Sequence, residues 1–176
     1  MRKRSPRERT DALKPKASSA IAAAAPASKS RTPKRKYVLR VAAGILRKEE
    51  ADGPRILITR RREGDSLAGY WEFPGGKLEI GETYPQALRR ELIEEIGVET
   101  LIGGLYHTLS QDYPKKILHI RFYEASITGG ALAAREVAEW QWVRPQELPN
   151  FRFPPADRPL IKKLQFSKNR EREQSQ

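Results

Sequence analysis

Two runs rich in aliphatic and β-branched residues, YVLRVAAGILR from Tyr37 and RILITRR from Arg55, flank EEADGPR. The Asp52-Gly53-Pro54 punctuation between them is that of a hairpin loop, so two antiparallel strands are predicted. The period then lengthens. Leu88, Leu92 and Ile96 recur every four residues and make the apolar stripe of a helix. Thr83 is placed to cap that helix, Gln86 to complete a capping box, Pro85 lies in the first turn where its missing amide does no harm, and Gly97 ends it. Farther on, LIGGLYHTLSQDY and ILHIRFYEASI predict two long strands turning at PKK, and EVAEWQWV predicts another with Trp140 and Trp142 on one face. RPQEL predicts a helical turn, and PADRPLIKKLQF a terminal helix with Pro155 and Pro159 near its start. Strands dominate, with one central and one terminal helix, so the expected class is α/β with a mixed sheet between helices.

Charge changes the picture at the ends. The chain of 176 residues has a formal net charge of +12, of which Met1–Lys36 carries +10 and the residues from Lys162 onward +3, so the middle nets −1. Residues 1–36 are rich in Ala, Ser, Pro, Lys and Arg with almost no large apolar side chain, and cannot bury enough surface to offset ordering entropy. They are expected to be a disordered tail before a domain at 37–165, with a second disordered tail at 166–176. The first tail has three readings: a solvated extension, a weak polyanion-binding arm, or a cleaved targeting peptide. The chain has no cysteine, hence no disulfide or thiolate metal site, and no apolar run long enough to span a bilayer. A cytoplasmic monomer with no membrane contact is expected.

Against this background five glutamates, Glu79, Glu82, Glu91, Glu94 and Glu95, gather in one stretch. On a helix, Glu91, Glu94 and Glu95 share a narrow arc beside the apolar stripe, where like charges repel and partial burial sharpens the repulsion. Arg90, Arg89 and Lys77 can answer some of it. A hard divalent cation held through carboxylate oxygens would answer the rest. Gly75 and Gly76 would let backbone approach such an ion or a phosphate closely, or simply make a turn. His107 and His119 sit in strand patterns without ligand spacing and read as structural.

The spacing from Gly76 onward, with Glu82, then Arg90-Glu91-Leu92, Glu94-Glu95 and Gly97-Val98, matches every defined position of the Nudix box. ILITRRREGDSLAGYWEFPGGKLEIGET further resembles the MutT branch of that family, and the likeness extends over about Tyr37–Leu164. The resemblance implies an α/β/α sandwich and hydrolysis of modified nucleoside triphosphates such as 8-oxo-dGTP to monophosphate and pyrophosphate, a nucleotide-pool sanitation role. It implies Mg2+, with Mn2+ able to substitute, held by Glu91, Glu94, Glu95 and the carbonyl of Gly75, with Glu136 as a further metal-binding or catalytic glutamate. Glu91 or Glu136 is then the general base, with Glu139 an alternative to Glu136, and Arg90 orients the acidic cluster. For the base, Arg61, Glu72, Phe73, Pro74 and Gly75 match the branch, although Phe73 also suits a core position. Ser66 replaces a histidine, and Asp157 replaces the expected asparagine. A carboxylate only accepts hydrogen bonds, so Asp157 would favour the exocyclic amino groups of cytosine or adenine unless it is protonated; alternatively it only caps the terminal helix. Other nucleoside diphosphate derivatives, such as ADP-ribose or dinucleoside polyphosphates, are a second substrate class, and Pro114 discriminates little between them. A domain that binds nucleotide or nucleic acid without turnover is a third reading, which the intact box disfavours.

Overall fold

The computed structural model describes residues 35–173, with side chains through Phe166, so most of the basic N-terminal segment lies outside the described residues. Strand β1 (Tyr37–Glu50) turns through Ala51 and Asp52 into β2 (Gly53–Arg60), and Glu50 pairs with Gly53. The guanidinium of Arg55 donates to both Asp52 oxygens at 2.9 and 2.7 Å and pins the turn. The short strands β3 (Trp71–Glu72) and β4 (Gly75–Lys77) precede helix α1 (Tyr84–Ile96). Strands β5 (Val98–Asp112) and β6 (Lys116–Gly130) form a long antiparallel hairpin, followed by β7 (Glu139–Val143), a 3-10 turn at Pro145–Asn150, another at Pro155–Asp157, and helix α2 (Arg158–Glu173).

Local signals set the ends of α1. The Gln86 side-chain oxygen accepts from both the N–H (2.9 Å) and the hydroxyl (2.7 Å) of Thr83. Gly97, at φ 75°, takes the left-handed conformation that closes a helix, and its N–H donates to the Ile93 carbonyl at 3.1 Å. Two predicted boundaries shift. The last strand begins at Glu139 rather than Glu136, because the amides of Arg135 and Glu136 donate to the carbonyl of Glu95, and that of Ala138 to the carbonyl of Arg60. Helix α2 runs on to Glu173, through most of the segment 166–176 expected to be a tail. Residues 174–176 lie outside the described residues.

The long β1 organises the sheet. It runs parallel to β6, with Val41 opposite Ile120, and is antiparallel to β4 in its first half and to β2 in its second. Strands β3 and β7 add to β2, and β5 closes the far side of β6. Alternation along β1 then serves two cores. Ala42 and Leu46 pack with Leu88, Leu92 and Ile96 of α1, joined by the partly buried Trp140 and Trp142. Ala43 and Ile45 face the other way, onto Phe73, Phe122, Phe153 and Leu160, Ile161 and Leu164 of α2. The result is a mixed sheet between helices, of the α/β class expected from the element order.

Candidate active site

Where β2 gives way to β4 beside β1, the α2 face of the sheet opens into a cleft of about 640 Å³. Its floor comes from the alternate residues Leu39, Val41 and Ala43 of β1 and Leu118, Ile120 and Phe122 of β6. One end is acidic, with Glu91 and Glu95 reaching it from α1 past Gly75 and Gly76. This passage requires the glycine pair. A Cβ on Gly76 would stand 2.2 Å from the Glu91 carboxyl carbon, and one on Gly75, at φ 138°, would stand 2.2 Å from the Ala42 carbonyl oxygen.

Arg90 lies at the centre of the acidic group, and all five of its N–H donors are engaged. Nε and Nη2 donate to the two oxygens of Glu82 at 2.9 and 3.0 Å, Nη2 also to the Lys77 carbonyl, and Nη1 to Glu91 and Glu94 at 3.0 Å each. Glu82, which also accepts from the amide of Glu79, is held down at about 2, chiefly by the hydrogen bond from Arg90. Arg90 is correspondingly held protonated. Its capacity is then exhausted. Glu95, one turn on from Glu91, accepts from the backbone N–H of Gly75 at 3.0 Å. Burial pushes its carboxyl up to about 8 against that hydrogen bond, and the Glu72 and Glu91 carboxylates push the same way. Burial also raises Glu91, against its bond from Arg90.

A divalent cation fits this end of the cleft, because a buried carboxyl among other carboxylates, beside an arginine with no donor to spare, lacks only positive charge. Among the described residues no three acidic or histidine side chains already form a ligand cage. Glu94 is turned toward Arg90 and does not line the cleft.

At the other end Arg61 Nη1 donates to Glu72 at 2.7 Å, and its Nε donates to the carbonyl of Ser66 at 2.5 Å. Burial raises Glu72 and the Arg61 pairing opposes it. Phe73 is both core and lining, only 4% exposed, edge-on to Phe122 and tilted against Phe153, with ring centroids 5.9 and 5.3 Å away. Pro74 is used through its backbone, its carbonyl accepting from Gly44 at 2.8 Å. Asp157, 6% exposed, borders the cleft next to Ala156. Burial first, then the Glu72 carboxylate, push its carboxyl up to about 7. It is one of two buried polar residues among those described, and no described side chain or α2 amide donates to it. The helix-cap reading of Asp157 therefore has no hydrogen bond behind it.

A family model described as NUDIX domain matches residues 38–164 of the chain. The chain belongs to this family. This NUDIX domain is 43% identical over 129 residues to an 8-oxo-dGTP diphosphatase of Haemophilus influenzae, covering 73% of the chain and 93% of the relative. It is 36% identical over 124 residues to a CTP pyrophosphohydrolase of Escherichia coli, covering 70% and 89%. Among solved structures it resembles the Escherichia coli ORF135 protein, with a TM-score of 0.60, 32% identity and coverage of 72% and 88%. It also resembles MutT from work on Aliivibrio salmonicida and Vibrio cholerae, with a TM-score of 0.54, 33% identity and coverage of 73% and 97%.

Within this NUDIX domain, the cleft brings together Glu91, Glu95, Gly75, Arg61, Ser66, Glu72, Phe73 and Asp157. Glu136 stands apart from its lining, 59% exposed, with its nearest ion-pair partner Arg62 at 3.9 Å. Glu139 is paired with Arg60 at 3.0 Å. His107, lying tilted against Phe122, is lowered by burial, in keeping with a structural role. Sequence reasoning missed Leu67, Tyr37, Tyr113 and Lys116 in the lining. The alternation of Tyr37, Leu39 and Val41 was the available signal for the floor, since residues two apart share a face.

The close approach at Gly76 carries a prediction. Gly76→Ala displaces the end of a flexible side chain rather than backbone, so melting should change little. Turnover should fall roughly a hundredfold, because about an ångström of misplacement costs that much. Parallel melting and rate measurements check it, and a rate within twofold of the parent would show that the position of Glu91 is unimportant.

Proposed function

We propose that this protein is a Mg2+-dependent pyrophosphohydrolase that converts nucleoside triphosphates with a modified or non-standard base into nucleoside monophosphate and pyrophosphate. It would act as a cytoplasmic monomer that keeps damaged precursors out of DNA synthesis. The reading rests most heavily on one observation: Glu95 lies in a nucleotide-sized cleft, its carboxyl pushed up by burial, while the neighbouring arginine is fully committed elsewhere. The names of the relatives, 8-oxo-dGTP diphosphatase and CTP pyrophosphohydrolase, support the same chemistry.

In this reading Glu91, Glu95 and the Gly75 carbonyl would hold Mg2+, with Glu94, now accepting from Arg90, as a further ligand. When bound, the metal neutralises charge on the phosphoryl oxygens and lowers the pKa of a water. The Gly75 N–H fixes the rotamer of Glu95, and Arg90 holds Glu82, Glu91 and the Lys77 backbone in one arrangement. Glu91 is better placed than Glu136 to take a proton inside the cleft, and Glu136 would have to leave Arg62 to do so. The floor and Phe73 exclude water from the base, and Arg61 fixes Glu72 beside it.

A second reading of the substrate follows from Asp157. Ionised, it accepts from the amino group of cytosine or adenine; protonated, it also donates, as oxidised guanine would require. Asp157→Asn should shift the 8-oxo-dGTP to CTP rate ratio toward 8-oxo-dGTP by roughly ten- to a hundredfold, the worth of one buried hydrogen bond. An unchanged ratio would remove Asp157 from base selection.

The same substitution has a pH signature. The folded carboxyl, at about 7, lies above its unfolded value of about 4, so its contribution is full below about pH 4 and is lost as pH rises through 7. Relative to the parent, the Asn variant should gain stability across that window, ~3 kcal/mol in order of magnitude. Denaturant melts at pH 4.5 and 8 check this.

The test of the function is product analysis with and without chelator, scoring pyrophosphate from 8-oxo-dGTP, dGTP, CTP and 2-hydroxy-dATP, and nucleoside monophosphate or triphosphate from ADP-ribose and a dinucleoside tetraphosphate. Chelator-sensitive release from the triphosphates is expected. Release from none of them would sink the proposal, and hydrolysis of only the last two would move the protein to the other substrate class.

A further inference from the structure

The loop joining β2 to β3 breaks a local rule at one residue. Among the described residues Leu67, at φ 61°, is the only non-glycine in the left-handed region. The amide of Ala68 donates to the Asp65 carbonyl at 3.1 Å, which makes Asp65–Ala68 a β-turn with Leu67 at its third position. That position is normally filled by glycine or asparagine, because a branched chain there crowds its own backbone. The same loop uses glycine at its other two left-handed positions, Gly64 at φ 89° and Gly69 at φ 74°.

The fold gains nothing visible from this strain. Leu67 belongs to neither core cluster and is 50% exposed, although it is large and apolar. Its placement is nonetheless firm. The carbonyl of Ser66 accepts from Arg61, the carbonyl of Leu67 accepts from the amide of Tyr70 at 3.1 Å, and Arg61 is itself anchored on Glu72. The side chain lines the cleft that also holds Asp157 and the apolar floor. Strain that the rest of the fold does not use is characteristic of ligand clamps.

We propose that Leu67 is a substrate-binding residue whose isobutyl group packs on the flat face of the nucleobase whose edge Asp157 meets. This rests on the nucleotide reading of the cleft. A base is apolar on its faces and polar on its edge, so recognition needs an apolar cover as well as a hydrogen-bonding residue. The turn presents that cover on a backbone already held in place, so no ordering of the loop at Leu67 is left to oppose binding. The acidic end, which would take the phosphates, has no part in this contact.

The discriminating pair is Leu67→Gly, which relieves the strain and removes the side chain, and Leu67→Ala, which removes the side chain alone. Affinities of the full-length variants for CMP, dGMP and 8-oxo-dGMP are measured by calorimetry, with inorganic pyrophosphate as a ligand without a base. Both variants should bind the monophosphates about tenfold more weakly, with KM for the triphosphates rising in step, kcat within twofold and pyrophosphate affinity unchanged. Leu67→Gly should melt at or above the parent temperature. Unchanged monophosphate affinity would overturn the proposal, and so would weakening of pyrophosphate in parallel or a lower melting temperature that accompanies the loss. Weakened monophosphate binding in a protein that hydrolyses no triphosphate would keep Leu67 as the clamp and discard the hydrolytic function. A parent protein that binds none of the three monophosphates would overturn both.

Discussion

Glu95→Gln should lower turnover roughly a thousandfold while leaving the fold intact. The substitution preserves shape and keeps an oxygen to accept the Gly75 N–H, now 3.0 Å from the carboxylate, so the loop and helix stay joined. It removes only the charge. Losing one carboxylate from a site that stabilises phosphoryl charge forfeits about 4 kcal/mol of transition-state stabilisation, and each 1.36 kcal/mol is tenfold in rate. The neutral amide also suits its enclosed position better than a carboxylate does, so melting in metal-free buffer should occur at or above the parent temperature. Metal supplies the second readout. A ligand that binds only the folded state raises its stability by mass action, so Mg2+ should raise the parent melting temperature and leave that of the variant unmoved. A variant that retains a tenth of the parent rate would displace the metal from Glu95.

Gly75→Ala should be the most damaging single methyl group in the domain. Its Cβ would meet backbone, with Ala42 O at 2.2 Å and Ala43 Cα at 2.8 Å, and the φ of 138° strains any L side chain. Neither clash is relieved by a rotamer change, because β1 and β4 are paired there, with Ala43 opposite Gly75. Left-handed strain and overpacking together come to about 3 kcal/mol, a fall of about 10 °C in Tm for a domain of this size. Turnover should vanish with it, since Gly75 carries the amide that positions Glu95. Gly76→Ala, one residue on, should instead spare stability. The contrast between neighbouring glycines tests whether strand pairing and ligand placement are divided between them as the geometry indicates.

What could be read from the chain, and what could not, follows from the range of the interactions. Helix α1 was legible because Thr83, Gln86, Leu88, Leu92, Ile96 and Gly97 act within a turn or two of one another. The hairpin at Asp52-Gly53 and the shared face of Trp140 and Trp142 were legible for the same reason. The start of β7 was not, because the amides of Arg135, Glu136 and Ala138 are taken by the carbonyls of Glu95 and Arg60, distant in sequence. The extension of α2 past Phe166 also escaped a reading based on charge, which treats a polar run as a tail.

In the cleft, the spacing of Glu91, Glu94 and Glu95 marked the acidic end, yet not how its charge is shared. One arginine looked too little for so many glutamates. In the structure Arg90 satisfies Glu82, Glu91 and Glu94 at once because the loop bearing Glu82, which follows β4, lies against α1, and the unmet need narrows to Glu95. Leu67 was invisible for a different reason: nothing in the letters SLAG shows which residue of a turn carries positive φ. The exposure of Glu136 likewise depends on the path of a loop that strand alternation does not describe.

The proposed activity is defined by which phosphoanhydride bond is cut. Phosphorus NMR of 8-oxo-dGTP or CTP incubated with the full-length protein and Mg2+ should show monophosphate and pyrophosphate appearing in equal amounts, and no change with Glu95→Gln. Nucleoside diphosphate and orthophosphate as the products, or equal rates from parent and variant, would contradict it.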